Sequence, residues 1–548
     1  MRHPDFHGLD EAAVYATSKL LSVEAWRRSE QHLLEDLPEM PATLQRPFRL
    51  LPCHHSRPHR KSISCFRSHH NASLPNCSSS SSSQCEQVQR YAVLGAGFAG
   101  LSVAWHLLKC REGGRSFIFT MKNLIFIVKS KIKWSICAWV LDFRGKERGF
   151  LHFRHFFFVR YGSYMAMLSA RDTDLHIDIY DEVGIGGGAS GVAGGLVHPY
   201  SPKVKPLWRG AECWEEAMKL LRVAEIAAES RTSSWTNDIS YETIDFNGPI
   251  FWRRGIIRPA TKIKSLDIMT ENARHHLQSC KLEIVTNDFV KKLMPDVIMP
   301  LNKAFYMPQA VNIHPMRYLQ ALFFACQDLS GNSVVSGSPS KGMCFHKRRI
   351  KNLQELSDAY TAVIICLGAK SGLLPELSGK LPLRMCRGIV MNMQLPHEFK
   401  EGYTENTPSI LSDAWLAIQG PRDLIIGSTW DWSSADYSSA VSGEEASSAL
   451  QDLIPKASAV LPNISEWVFR NAKGGMRAMP PLTGLGSLPL LGCLNDLVGG
   501  SPKCRYWFVG GLGARGLLYH AWLGKLMAKA VLSCDENQLP PELTAWKR

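Results

Sequence analysis

The sequence predicts an α/β fold, α+β overall, and three stretches carry that reading. Tyr91–Leu94 is a short apolar run that enters Gly95-Ala96-Gly97-Phe98-Ala99-Gly100 and continues into a helix-like segment, as a strand, glycine turn and helix would. In LHIDIYDE, Leu175, Ile177 and Ile179 alternate as on a strand, with Asp181 at its end. YTAVIICLG (360–368) is a continuous apolar run of the kind buried on both faces of a parallel sheet.

In the first stretch Gly95 makes the tight turn and Gly97 lets backbone approach a pyrophosphate. Gly100 lets the helix pack on the strand, so that the helix's amino end faces phosphate. Such a unit also needs a carboxylate about 20 residues on, to hold a ribose hydroxyl. That window reads SFIFTMKNLIFIVKS and contains no acid. The acid is expected at Asp181, with Glu182 as the fallback, 81 residues beyond Gly100, because residues 112–171 interrupt the β-α-β unit. The interruption is rich in Phe, Lys and Arg, without steady helical or strand periodicity. It reads either as a membrane-surface or partner module, or as translated non-coding sequence or a tolerated surface loop. The second reading is favoured, because long structureless loops inside compact units are uncommon.

Upstream, Pro41 to Cys85 has no Asp or Glu, abundant Arg, His and Ser, and a serine run at 78–83. That is the composition of an organelle transit peptide, here expected to direct chloroplast import, with the mitochondrion as the alternative. The bland reading is a disordered tail. Residues 1–39 are acidic, so Met40 is a candidate start.

The chain has 548 residues and a formal charge of +14, but that excess is local. Residues 41–90 carry 7 basic and 1 acidic side chains, and 111–171 carry 12 and 3, whereas 172–548 carry 39 and 37. A near-neutral body gives no charge support for a nucleic-acid face. The 15 cysteines include no C-x-x-C pair, which argues for reduced thiols and against a zinc site or a disulfide framework. No 18-residue uncharged apolar run is present, so no membrane span is expected, and no metal is expected either.

A second glycine-rich stretch, Gly186 to Gly195, follows the ribose acid. Small residues belong where backbone meets cofactor, and Ser190 can donate to a phosphate. With it the motifs fall into a familiar order. The chain resembles the D-amino-acid oxidase family of FAD-dependent oxidoreductases over 91–110 and from 172 to about 535, outside the two odd segments. The nearest likeness is to the oxidoreductase half of the bifunctional bacterial enzymes that complete 5-methylaminomethyl-2-thiouridine in tRNA.

The resemblance implies FAD as cofactor, held by Gly95, Gly97, Phe98, Ala99, Gly100, Asp181 or Glu182, Ala189, Ser190, Gly194 and Gly195. It adds Gly368 after the apolar strand, and Gly513, Arg515, Gly516 and Leu517 in the closing WFVGGLGARGL motif, where a helix N-terminus would face the flavin's pyrimidine edge. His198 in LVHPY reads either as a base or as a structural histidine beside a proline turn. Arg387-Gly388 fits the family's strand at the entry to the substrate-domain sheet. In KGGMRAMPP, Arg477 occupies the place of the arginine that grips a substrate carboxylate, a task suited to a planar, always-charged fork. Arg515 is a further candidate for substrate contact. The relatives' acid a few residues on is replaced by Leu482-Thr483-Gly484.

The implied architecture is a Rossmann-like FAD-binding domain interleaved with a mainly antiparallel β substrate domain. The expected order is 1–90, extension and transit peptide; 91–235, FAD domain, first part; 236–310, substrate domain, first part. Then come 311–375, FAD domain, second part; 376–470, substrate domain, second part; and 471–548, FAD domain, C-terminal part. The implied activity is oxidation of a C–N bond in a small amine or amino acid. The alternatives are a tRNA wobble-uridine oxidoreductase, which charge does not support, and a non-catalytic chain disabled by 112–171.

Overall fold

The computed structural model describes residues 89–110, 175–232, 248–331, 341–399, 402–499 and 503–547. The transit-peptide and insertion readings lie outside the described residues.

The interrupted β-α-β unit is closed in space. Strand Gln89–Leu94 lies parallel to Leu175–Asp181, paired residue for residue from Gln89 with Leu175 to Leu94 with Tyr180. Between them in sequence, helix 98–110 follows the glycine turn, and its apolar side chains Leu101, Ala104, Leu107 and Leu108 are buried. On its other side Gln89–Leu94 pairs in parallel with Ala362–Ile365, a strand with no exposed residue, as its apolar run requires. Arg505–Gly510 extends the sheet in parallel, Leu490–Cys493 closes one edge in antiparallel, and Lys341–Lys347 forms the other edge. The order across this six-stranded sheet therefore places Gln89–Leu94 near the middle, where ligands of open α/β sheets meet the carboxyl ends of the strands.

Helices Gly210–Thr232, Pro315–Gly331 and Gly516–Ser533 pack together, with 98–110, in the core under this sheet. Their lengths follow the sequence: an apolar stripe from Cys213 through Ala228 in the first, and an almost wholly apolar last helix.

The eight-stranded sheet is mainly antiparallel. Its spine is the long pair Arg384–Gln394 and Val468–Met479, followed outward by Asp423–Gly427, Trp415–Ile418, Ser409–Ile410, Ile256–Pro259, Lys303–Met307 and Glu283–Thr286. Helix Gly443–Ser458, begun by a reciprocal Ser442–Glu445 capping box, covers one face through Ala449, Leu453 and Ala457. The division expected between 470 and 471 falls inside Val468–Met479. That strand pairs with Arg384–Gln394 along its whole length, so Arg477 belongs to the eight-stranded sheet. Among the described residues no helix is long and apolar enough to cross a membrane.

Candidate active site

A cavity of about 560 Å3 runs between the two large sheets. Its lining includes both glycine-rich stretches and Arg477.

The nucleotide end is shaped by backbone. Gly95 has φ +105°, and a Cβ there would stand 2.5 Å from the Cys366 carbonyl oxygen, so only glycine makes this turn. A Cβ on Gly100 would lie 1.8 Å from the Gly95 oxygen, which is the close helix–strand approach expected of the motif. Ser190 from the second glycine stretch reaches back, and its hydroxyl accepts from the Phe98 amide at 3.2 Å. That bond brings two motifs 92 residues apart to one spot. Gly97, Ala99, Ala189, Gly194 and Gly195 line the same cavity.

Asp181 and Glu182 both reach the lining but are held differently. Asp181 accepts from the Ala96 amide at 2.9 Å and from the Val183 and Gly184 amides at 3.0 Å. An ionised carboxylate has about four acceptor positions, so Asp181 retains capacity for one further donor. Glu182 is tied to Lys370 and lies 3.6 Å from Arg349. The geometry therefore favours Asp181 over Glu182 for a ribose hydroxyl.

Gly368, with φ +55°, opens the turn Gly368–Leu373 after the central strand, and Gly513, with φ +52°, opens the turn into helix Gly516–Ser533. Both glycines, with Arg515, Gly516 and Leu517, line the cavity.

Three of the guanidinium groups that line the cavity, those of Arg477, Arg515 and Arg258, pair with no carboxylate among the described residues. Arg477 donates to the Thr429 carbonyl at 2.7 Å and to the Ser428 hydroxyl at 3.2 Å, and sits 4.1 Å over the Trp430 ring. No carboxylate pairs with it among the described residues, and its Nε is buried without a partner. Burial lowers its pKa, which still leaves it charged. Arg515 is likewise depressed by burial and approaches His198 Nε2 at 3.5 Å. The third is Arg258, on strand Ile256–Pro259, which the sequence reading did not single out. A lone cation in the buried run Gly255-Ile256-Ile257-Arg258-Pro259-Ala260 was the available signal.

His198 is buried, and burial beside Arg515 and Arg258 drives its pKa well below 6.5, so the ring is neutral. Its Nδ1 accepts from the Tyr200 amide at 3.3 Å. Arg515 Nη1, which can only donate, faces Nε2 at 3.5 Å, and a neutral imidazole accepts at one nitrogen only, so the Tyr200 amide and Arg515 compete for a single lone pair that is engaged either way. Of its two sequence readings, the geometry favours the structural one over the base.

Arg387 has a purely architectural setting. It is 1 % exposed, pairs with Asp436 and Glu445, and donates to the carbonyls of Asp436, Ser438 and Ala440. It thereby pins the loop that brings Trp430 and Tyr437 to the cavity wall.

Away from the cavity, His176, Asp178 and Cys344 place three metal-capable atoms within 4.8 Å of one another. The Asp178 oxygens already accept from His346, Tyr360 and Arg90 at 2.7–2.8 Å, so the cluster is a satisfied hydrogen-bond network.

Residues 163–530 match the sequence model of the FAD dependent oxidoreductase family, D-amino-acid oxidase type. No curated protein sequence matches the chain. Among solved structures, glycine oxidase from Geobacillus kaustophilus is 16 % identical with a TM-score of 0.53, covering 83 % of this chain and 98 % of its own. Iminodiacetate oxidase from Chelativorans sp. BNC1 gives 16 %, 0.52, 83 % and 98 %, and L-proline dehydrogenase from P. horikoshii gives 11 %, 0.54, 84 % and 98 %. At these identities the likeness is one of fold. The family match begins beyond the Gly95–Gly100 turn, and the parallel pairing of Gln89–Leu94 with Leu175–Asp181 restores that turn to the same unit. The matched stretch is well over half of the chain, and the chain belongs to the FAD-dependent oxidoreductases of the D-amino-acid oxidase family.

Proposed function

We propose that the chain oxidises an amine or amino acid at a carbon next to nitrogen, in a substrate that carries a carboxylate. Arg477 carries this reading: a desolvated guanidinium in the cavity lining, with no carboxylate partner of its own among the described residues. Such a group is costly unless a ligand brings the counter-charge.

The residues present fit FAD, because the glycine cradle excludes side chains where backbone must approach and Asp181 keeps an acceptor for ribose. Gly95, Gly97, Phe98, Ala99, Gly100, Asp181, Ala189, Ser190, Gly194 and Gly195 would hold the nucleotide and pyrophosphate. Gly368, Gly513, Arg515, Gly516 and Leu517 would flank the ring. When bound, FAD supplies a two-electron, hydride-accepting centre, so no protein nucleophile is required. The chain's own tasks are then to hold the substrate carboxylate through Arg477 and to exclude water with Trp415 and Trp430. Arg515 and the start of helix Gly516–Ser533 add positive potential where negative charge accumulates. The imine product hydrolyses to an amine and an oxo acid.

Anaerobic mixing with glycine, sarcosine, D-amino acids or tRNA bearing a carboxymethylaminomethyl uridine tests this. Bleaching of the flavin absorbance by a small carboxylated amine supports it; bleaching by the tRNA alone would install the competing reading. The near-neutral body, with 39 basic and 37 acidic side chains over 172–548, weighs against tRNA. The acid-free stretch 41–85 supports chloroplast import, which a fluorescent fusion of the form starting at Met40 tests; a cytosolic signal would refute it.

A further inference from the structure

The amine-oxidising reading uses one arginine for one carboxylate, yet the cavity holds more positive charge than that. Arg258 projects from strand Ile256–Pro259, whose other residues are buried, into the lining shared by Arg477, Arg515 and His198. No hydrogen bond or ion pair engages the Arg258 guanidinium among the described residues, although burial disfavours its charge. The nearest carboxylate influence is Asp413, which is more than half exposed and already pairs with Lys262 at 3.6 Å. Asp413 stands just beyond strand Ser409–Ile410, which runs parallel to Ile256–Ile257, so Arg258 is fixed by the sheet. Arg258 and Arg515 also repel each other, and His198, neutral here, does not offset either. The acids of the lining are all engaged, Asp181 by three amides, Glu182 by Lys370 and Asp413 by Lys262, whereas Arg258, Arg477 and Arg515 have no carboxylate partner, so a ligand with more than one negative group matches them.

We propose that the substrate is an amine carrying two carboxylates, and that Arg258 is the specificity-determining residue that receives the second. The inference rests on the amine-oxidising reading and deepens it. Arg477 holds the carboxylate beside the reacting carbon, and Arg258 holds the one at the far end, so the two ends fix the substrate's direction in the cavity. A monocarboxylated amine satisfies Arg477 alone and leaves Arg258 desolvated and unpaired.

The test compares two unreactive ethers on the flavin-loaded protein: diglycolate, with two carboxylates, and methoxyacetate, with one. Binding is read from perturbation of the flavin spectrum and from thermal shift, at fixed ionic strength. The expected result is diglycolate binding at least about tenfold more tightly than methoxyacetate, the scale of one charge-assisted pair. In Arg258→Gln the ratio falls to about one through weaker diglycolate binding, with the flavin retained, and Arg258→Lys gives an intermediate ratio. A wild-type ratio near one overturns the proposal, as does a ratio unchanged in Arg258→Gln. Loss of flavin from Arg258→Gln also overturns it, by assigning the residue to the cofactor. If both variants fail to fold, the wild-type ratio decides. Failure of both ethers to bind the wild type sinks the amine-oxidising reading itself, whereas methoxyacetate binding without preference for diglycolate sinks only this inference.

Discussion

Replacing Arg477 by alanine separates a substrate anchor from a structural arginine. Its guanidinium is desolvated, stacked 4.1 Å over Trp430 and bonded to Thr429 and Ser428, which fixes its orientation before any ligand arrives. A bidentate, charge-assisted pair in such a setting is worth about 3–4 kcal/mol, since each bond to a charged group contributes about 1.5–3 kcal/mol and part of that is spent on desolvation. The expected loss in apparent affinity for a carboxylated substrate is therefore about a hundredfold to a thousandfold. Arg477→Lys keeps the charge but not the fork and should recover about tenfold of it. The assay is the KM of the flavin-loaded variants, with bound flavin measured from the visible spectrum and a carboxylate-free amine as control. The control amine should be affected no more than a few-fold, and flavin should remain. A KM within threefold of the wild type, with only the melting temperature lowered, would show that Arg477 merely ties down Thr429 and Trp430.

Other parts of the structure make independent predictions. Gly100→Ala drives a Cβ to 1.8 Å from the Gly95 oxygen, so it should cost about 3 kcal/mol or more and release flavin, read by melting temperature and the 450 nm band. Unchanged flavin content would mean that the turn is not the pyrophosphate cradle. Arg387→Met leaves three loop carbonyls and two half-exposed carboxylates without their donor, and should lower stability by about 2–3 kcal/mol in urea unfolding. His106 and His520 are buried with pKa values lowered to about 4, so the folded chain keeps them neutral while the unfolded chain protonates them near 6.5. Stability should therefore fall as pH drops through the window from 6.5 to 4, by about 3 kcal/mol for each ring. His106→Phe should flatten that dependence by about one proton, because His106 Nε2 has no hydrogen-bond partner to lose. An unchanged slope would refute the assignment.

Local pattern made much of the fold readable. Alternation in LHIDIYD marked strand Leu175–Asp181, and the apolar run YTAVIICLG contains the buried strand Ala362–Ile365. The nucleotide end was legible for a related reason: glycine, small residue and acid sit in short, ordered motifs. The Ser190–Phe98 bond then joins two of them in space. What escaped the sequence depends on long-range pairing. Arg258 enters the cavity because its strand lies between Ser409–Ile410 and Lys303–Met307, and nothing within ten residues of it announces those neighbours. The place of Arg477's strand in the eight-stranded sheet has the same origin, since its pairing with Arg384–Gln394 joins residues far apart in sequence. His198 illustrates the other limit: its residue type permits a base, and only its neighbours, the Tyr200 amide and Arg515, show that its one lone pair is already engaged.

The proposed activity requires this chain to form a working FAD site despite the segment that separates Gly100 from Asp181. The most direct measurement is the visible absorption spectrum of the purified protein with residues 112–171 intact. A flavin spectrum, retained through desalting and bleached anaerobically by a carboxylated amine, is the predicted result. A colourless protein that gains flavin only when 112–171 is deleted would contradict it, and would mark this chain as a disabled member of its family.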